Sequence, residues 1–326
     1  MRSQVNILQL VYPPISNQEA EWLKDDPQVQ EELRASNMYM ICQRQEAFLQ
    51  FPPDGVHRSL QQGGQLDFEF QVGSASSRGG IDIGRLLSMH NVSMDTSDVE
   101  IELGEKFLRF WKADSVTGER TGIIDWFTTE KLLFDKWHGH PAVVGLEEYR
   151  QFTQYLLHYV GISKKEDSLQ RLVIKPHDTR LRILSNEHAK TRGSRVTDEL
   201  ILLFFAVNPL RMSVLETDEE IAETVRGVEF DKVAIVADAE KAYVSILKSE
   251  YNKIRFADYP KGQDGLYDSG LARYGFVIGE EISLLTSTDT IVGGLISDSK
   301  WSQSADFIFV DGEQVTLEKP VDHAST

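Results

Sequence analysis

The sequence predicts an α+β protein, and three patterns carry that prediction. Residues 66–72 alternate between apolar and polar side chains, which is typical of a half-buried β-strand. Residues 200–205 are uniformly apolar, which favours a central strand covered on both faces. Residues 242–247 instead carry apolar side chains at helical spacing. Together these patterns indicate a chain in which strands and helices pack together.

Residues 1–120 are predicted to form a β-rich domain. A strand over residues 5–12 ends at two prolines, and a short helix follows that Asn17 can cap. The Gly-rich stretch 73–80 lacks the spacing of a phosphate-binding loop and is interpreted as a flexible connection. Further strands are expected at residues 66–72, 99–103 and 107–111.

Residues 121–260 are predicted to form a second domain that contains both strands and helices. A helix is expected over residues 179–187, and a strand over residues 232–236 is expected to lead into a helix with Glu240 in its first turn. Residues 261–326 are predicted to form a small β-rich C-terminal extension. Its strands are expected at residues 274–278, 282–285, 291–295 and 307–310.

Composition bounds the class of protein. With 326 residues, 41% of them hydrophobic and 26% charged, the chain can bury a sizeable core and hold two domains. The single cysteine, Cys42, lies in an apolar run and is expected to be buried, which fits a reducing cytoplasm. No signal peptide is recognised, and no apolar stretch approaches the length of a membrane span, so we expect no membrane association.

The formal net charge of −17 argues against nucleic-acid binding by the whole surface. One segment, residues 164–195, differs because its nine basic residues exceed its four acidic ones and leave a local charge of +5. We call residues 164–195 the basic segment and expect it to face phosphates. Its basic residues are Lys164, Lys165, Arg171, Lys175, Arg180, Arg182, Lys190, Arg192 and Arg195. The remaining acidic surface leaves open a protein partner.

Two stretches carry residues of chemical interest. In the first, Tyr159, Val160 and Gly161 end an apolar strand, and a segment with Arg171 between two leucines follows. In the second, Glu240 lies in an apparent helix that closes, twelve residues later, with Tyr251 and Asn252.

In this order the two stretches resemble the GIY-YIG nuclease superfamily, whose second signature is a Y-[IV]-G strand end followed by a helix with an arginine. The family also places its metal-binding glutamate in a helix that ends P-x-Y-N, and here serine replaces the proline. The resemblance covers about residues 120–260 and implies a GIY-YIG-like mixed sheet.

The resemblance implies a metal-dependent nuclease acting on DNA, in restriction or antiviral defence. Glu240 would bind Mg²⁺ or Mn²⁺ as the only protein ligand, and Arg171 would contact the scissile phosphate. Tyr159 would contact water or a phosphate oxygen, His177 would relay a proton, and Asn252 would brace the site. The residues expected to contact nucleic acid are Lys164, Lys165, Lys175, Arg180, Arg182 and Arg192.

The family's opening G-I-Y motif is not matched, and two replacements are open. Gly122, Ile123 and Ile124 have strand character but no hydroxyl, and they require residues 128–152 to be an insertion. Tyr149 has the hydroxyl but lies in an apparent helix. The missing tyrosine also leaves an alternative function, a catalytically inactive subunit that binds nucleic acid or a protein partner.

Overall fold

The computed structural model is α+β, as predicted. It describes residues 2–52, 64–92, 98–114, 116–163, 168–175, 177–213, 230–297, 300–301 and 304–320. Among these residues no helix is both long and apolar enough to span a bilayer.

The described residues form two compact units. Unit 1 comprises Met1–Arg44, Gln154–His188 and Arg195–Thr326, and unit 2 comprises Gln45–Thr153 and Ala189–Ser194. This division differs from the predicted boundaries at residues 120 and 260, because strands from both chain ends pair within unit 1. Pairing between distant segments leaves no local signal in the sequence.

The strands, numbered in chain order, are β1 Arg2–Leu10, β2 Ile15–Ser16, β3 Met38–Gln43, β4 Ala47–Gln50, β5 Gln65–Val72, β6 Ala75–Asp82, β7 Val99–Leu103, β8 Phe107–Ala113, β9 Arg120–Thr128, β10 Val143–Gly145, β11 Gln154–Ile162, β12 Leu200–Ser213, β13 Arg273–Ile278, β14 Ser283–Leu285, β15 Thr290–Val292, β16 Ile296–Ser297, β17 Lys300–Trp301, β18 Phe307–Asp311 and β19 Gln314–Glu318. The α-helices are α1 Asn17–Leu23, α2 Pro27–Leu33, α3 Ile83–Met89, α4 Thr129–Trp137, α5 Asp178–Asn186, α6 Val196–Glu199 and α7 Lys232–Leu247.

Unit 1 is built on a mixed sheet in the order β15-β14-β11-β3-β12-β1-β13-β18-β19, with β2 paired to β12. Residues 200–205 of β12 are buried and pair with β3 along their whole length, while on the other side residues 201–202 pair with β2 and Phe205 pairs with β1, which confirms the predicted central strand. The buried Cys42 lies in β3, as expected.

The predicted C-terminal extension is not a separate element. Strand β13 pairs in parallel with β1, with Gly275 opposite Val5, and β18 pairs with β13. Strand β14 pairs in parallel with β11. The strands were predicted at about the right places, but their pairing with β1 and β11 makes them part of the main sheet.

Unit 2 contains the sheets β10-β6-β5-β4 and β7-β8-β9. The Gly-rich stretch 73–80, predicted to be a flexible connection, forms most of β6 and pairs with β5. Gly79 is required there by close packing, since a Cβ atom would lie 2.7 Å from the Leu146 side chain and 2.8 Å from that of Phe68.

Helix α7 positions the second predicted stretch. Asp231 caps the helix by accepting a hydrogen bond from the Ala234 N–H, so the helix already includes residues 232–236, which were predicted as a strand. A short apolar run is compatible with a strand or a helix, and here the Asp231 cap begins a helix before the run. Glu240 therefore lies in the middle of a 16-residue helix and not in its first turn.

Helix α1 is capped by Ser16 and not by Asn17. The Ser16 side chain accepts from the Glu19 N–H, and the Glu19 carboxylate accepts from the Ser16 N–H, which forms a capping box.

Candidate active site

Two tyrosine-bearing strands lie side by side in unit 1. Strands β3 and β11 are antiparallel neighbours, with Tyr39 paired to Gly161 and Ile41 paired to Tyr159. Residues that pair directly share one face of the sheet, so the two tyrosines project from the same face. Tyr39 is fully buried, whereas Tyr159 is only partly buried. Their ring centroids are 6.2 Å apart.

Gly161 makes room for both rings. A Cβ atom at this position would lie 2.6 Å from the Tyr39 ring and 2.7 Å from the Tyr159 ring, distances that side-chain carbons do not adopt. The glycine in the Tyr159, Val160, Gly161 sequence therefore has a packing reason, because it lets a tyrosine of the adjacent strand cover the backbone.

The Tyr39 hydroxyl is the centre of a polar cluster. Arg171 donates a hydrogen bond from Nε to the Tyr39 oxygen at 3.2 Å, and His177 Nε2 lies 3.0 Å from the same oxygen. The rings of Tyr159 and His177 are 5.6 Å apart. We call Tyr39, Tyr159, Arg171, His177 and Glu240 the tyrosine cluster.

His177 is held as one tautomer. Its Nδ1 accepts a hydrogen bond from the Arg180 N–H at 3.1 Å and so caps α5. In the neutral ring the proton is then on Nε2, which donates to the Tyr39 oxygen. Burial, reinforced by the charges of Arg171 and Arg180, lowers the pKa of His177 to about 4. The imidazole is therefore neutral at physiological pH.

The negative charge of Glu240 acts on other members of the tyrosine cluster. Burial is the main cause of the raised pKa of Tyr39 and of Tyr159, and the negative charge of Glu240 raises both further. Burial alone would lower the pKa of Arg171, but the two tyrosines and Glu240 together raise it. A carboxylate whose charge acts on three members of the cluster lies near them.

Arg171 reaches the cluster from a wide helical turn. The segment Gln170–Ile174 is a π-helix, a conformation frequently found at functional sites. Its neighbours Leu172 and Val173 are buried, while Arg171 is exposed apart from its bond to Tyr39. The guanidinium can therefore contact both the tyrosine and a ligand.

Asn252 braces strand β11 beside Tyr159. Its side-chain oxygen accepts from the Val160 N–H at 2.9 Å, and its side-chain nitrogen donates to the Val160 carbonyl at 2.8 Å. The Ser249 hydroxyl donates to the same Asn252 oxygen at 2.6 Å, and the Tyr251 N–H donates to the His158 carbonyl at 3.1 Å. The residues after α7 thus bond strand β11 next to Tyr159.

The structure describes four of the six residues that are predicted to contact nucleic acid. Lys164 and Lys165 lie outside the described residues. The remaining four are Lys175 and Arg182, both exposed in unit 1, Arg180, which is half-buried there, and Arg192, which is exposed in unit 2.

Arg180 is anchored within unit 1. Its guanidinium donates to the Asn17 side chain at 2.6 Å and to the Leu172 carbonyl at 3.1 Å. Arg180 is therefore a structural residue of the site as well as a source of positive charge.

Neither predicted replacement for the missing tyrosine lies in the tyrosine cluster. Ile123 and Ile124 belong to β9, and Tyr149 lies in the 3₁₀-helix Tyr149–Phe152, all of them in unit 2. The residue that sequence reasoning missed is Tyr39. The residues before Tyr39 do not match the glycine and isoleucine of the G-I-Y motif. The sequence feature that could have pointed to Tyr39 is its place in the apolar run 38–42.

The tyrosine cluster offers one carboxylate to a metal ion. Among the described residues no three or more histidine, cysteine or acidic side chains are grouped to hold a metal. A single half-buried carboxylate, Glu240, fits a hard cation that keeps most of its water ligands, such as Mg²⁺ or Mn²⁺, and does not fit an all-protein cage.

The neutral state of His177 predicts a dependence of stability on pH. The folded-state pKa of about 4 lies below the usual 6.5, so between these pH values the unfolded chain binds a proton that the folded chain does not. Stability therefore falls as the pH drops through this window. Replacing His177 with asparagine, which still caps a helix, should reduce the loss between pH 7 and pH 5 by about 1 kcal/mol, as measured by urea unfolding. His188→Asn is the control because that side chain is exposed, and equal losses in all three proteins would contradict the assignment.

Comparison of the chain with models of protein families, with curated proteins and with solved structures finds no match.

Proposed function

We propose that the protein is a metal-dependent nuclease of the GIY-YIG type that hydrolyses phosphodiester bonds. The resemblance to that family favours DNA as the substrate. The observation that carries the proposal is Tyr39. It lies on the strand adjacent to Tyr159, with its hydroxyl between Arg171 and His177. This position supports the proposal, because the family's opening tyrosine lies on the strand that precedes the Y-[IV]-G strand.

The residues of the cluster have complementary roles in this proposal. Arg171 holds a phosphate oxygen and is itself positioned by Tyr39. Tyr159, the less buried tyrosine, orients the attacking water. The neutral His177 donates a hydrogen bond to the Tyr39 oxygen and, together with Arg171, fixes the position of that hydroxyl beside Tyr159. Glu240 would hold the divalent cation, which neutralises charge developing on the phosphate when bound.

Charge supports an anionic substrate. The protein carries −17 overall, yet two guanidinium groups, of Arg171 and Arg180, flank His177 closely enough to lower its pKa. Such a local cationic centre attracts phosphate against a repelling background. The cellular setting, restriction or defence against phage, follows from the resemblance alone and stays a prediction.

The proposal is tested by removing the Tyr39 hydroxyl. Tyr39→Phe keeps the ring over Gly161 but removes the acceptor that Arg171 and His177 share, so we expect cleavage of DNA in the presence of Mg²⁺ or Mn²⁺ to fall by about 10²-fold. The measurement is the single-turnover cleavage rate of a labelled duplex at saturating protein.

Tyr243→Phe is the matched control, because the Tyr243 hydroxyl is buried and has no hydrogen-bond partner among the residues that the structure describes. It should cleave at the parental rate. A parental protein that cleaves neither DNA nor RNA with either metal would favour the alternative, an inactive subunit, and equal rates for Tyr39→Phe and the parent would remove Tyr39 from the chemistry.

DNA binding should depend on exposed cations of the basic segment. Replacing Lys175 and Arg182 together with alanine should weaken binding and reduce the slope of log affinity against log salt by about one to two. The slope falls because binding releases fewer counterions from the DNA when phosphate contacts are lost. Arg180 is left intact because its guanidinium anchors the site. Replacing the exposed Lys112 and Lys232 instead should leave the slope unchanged. An unchanged slope in the first variant would place binding on another surface.

A further inference from the structure

A cavity of about 670 Å³ opens beside the C-terminal end of α7 in unit 1. Its residues are not those of the tyrosine cluster. Ile246, Phe256 and Val315 give it apolar walls, and Lys248 and Arg255 give it two cationic side chains. The volume lies in the range of about 300–1,000 Å³ that is usual for pockets holding small molecules.

The two cations are positioned without being neutralised. Arg255 donates hydrogen bonds to the backbone carbonyls of Ser249 and Glu250, which fix the guanidinium but carry no formal charge. Within the described part of the chain neither Lys248 nor Arg255 forms an ion pair with a carboxylate. In a protein of charge −17, two such cations beside one cavity favour an anionic ligand.

The backbone around the cavity is held in an unfavourable conformation. Lys248 has φ of 50° and Phe256 has φ of 48°, and these are two of the four described non-glycine residues with positive φ. At Lys248 this conformation ends α7, as it does at the ends of many helices, whereas at Phe256 it ends no helix and is a costly conformation of the kind concentrated at ligand-binding sites. Here it places one cation and one aromatic ring at the same cavity.

We propose that this cavity binds a small organic phosphate of mononucleotide size. Lys248 and Arg255 contact the phosphate, and the ligand's flat ring packs against Phe256 and Ile246. The cavity lies next to the segment that carries Asn252, so an occupied cavity contacts the chain that braces β11. The inference does not depend on nuclease activity.

The test is calorimetric titration of the full chain with adenosine 5′-monophosphate, and separately with adenosine and with inorganic phosphate. We expect the nucleotide to bind at least tenfold more tightly than either fragment, because only the nucleotide engages both the cations and the apolar wall. Lys248→Gly and Phe256→Gly should each weaken nucleotide binding by tenfold or more. Glycine adopts positive φ freely, so both variants should stay folded.

Lys253→Ala is the matched control, since it removes an exposed positive charge from the same stretch without removing a residue that lines the cavity. Its affinity should equal that of the parent. The proposal is overturned if the nucleotide does not bind at millimolar concentration, if inorganic phosphate binds as tightly, or if Lys253→Ala weakens binding as much as Lys248→Gly. Because no arm measures cleavage, its failure is distinct from failure of the nuclease proposal.

Discussion

Replacing Glu240 with glutamine is expected to abolish cleavage while leaving DNA binding intact or stronger. The substitution keeps the size and hydrogen-bonding capacity of the side chain but removes the charge that a divalent cation requires. Since a bound cation contributes several kcal/mol to the stabilisation of phosphoryl charge, the single-turnover rate should fall by about 10³-fold or more. Loss of a negative charge beside the phosphate should not weaken binding.

Two measurements separate this loss from misfolding. The Glu240→Gln protein should unfold at about the parental temperature and bind a labelled duplex with at least parental affinity. Glu250→Gln, an exposed substitution ten residues further on, should cleave at the parental rate. A Glu240→Gln protein that cleaves as fast as the parent would exclude Glu240 as the metal ligand.

Replacing Gly161 with alanine is expected to damage the site more than the fold. The new methyl group would lie 2.6–2.7 Å from the rings of Tyr39 and Tyr159, so at least one ring must move. Overpacking of this kind costs about 1–3 kcal/mol of stability. Displacing the Tyr39 hydroxyl from Arg171 and His177 by about 1 Å should lower the cleavage rate by about 10²-fold.

Gly122 provides the matched control for this substitution. It also lies in a strand, and a Cβ atom there would meet nothing within 4 Å. Gly122→Ala should therefore leave both the unfolding temperature and the cleavage rate unchanged. Full activity in Gly161→Ala would show that the contact between the glycine and the two rings has no part in the chemistry.

Local patterns predicted the elements of the site better than their arrangement. The central strand at residues 200–205 followed from sequence, because burial on both faces is a property of a short segment. The register that brings Tyr39 opposite Gly161 is set by the pairing of β3 with β11, and a single sequence carries no trace of it. Sequence reasoning therefore offered Gly122–Ile124 and Tyr149 as replacements and did not reach Tyr39.

The error at α7 has a different cause. The segment 232–236 is short, mostly apolar and rich in β-branched side chains, so its pattern is compatible with a strand as well as with a helix. The helix begins ahead of these residues because the Asp231 side chain caps it by accepting a hydrogen bond from the Ala234 N–H. The spacing between Glu240 and Asn252 does not depend on where the helix begins, which is why the motif was found although its structural setting was wrong.

The pairing of β3 with β11 also bears on how this chain can be divided. Gln43 pairs with Leu156, so the chain leaves and re-enters the main sheet at neighbouring points, and residues 45–153 of unit 2 occupy the loop of what is otherwise a β-hairpin. This loop separates the two tyrosines of one site by 120 positions. Under the nuclease proposal, a family signature that requires both tyrosines within one short hairpin does not match such a chain. The pattern that matches is a tyrosine-bearing strand on either side of an inserted domain.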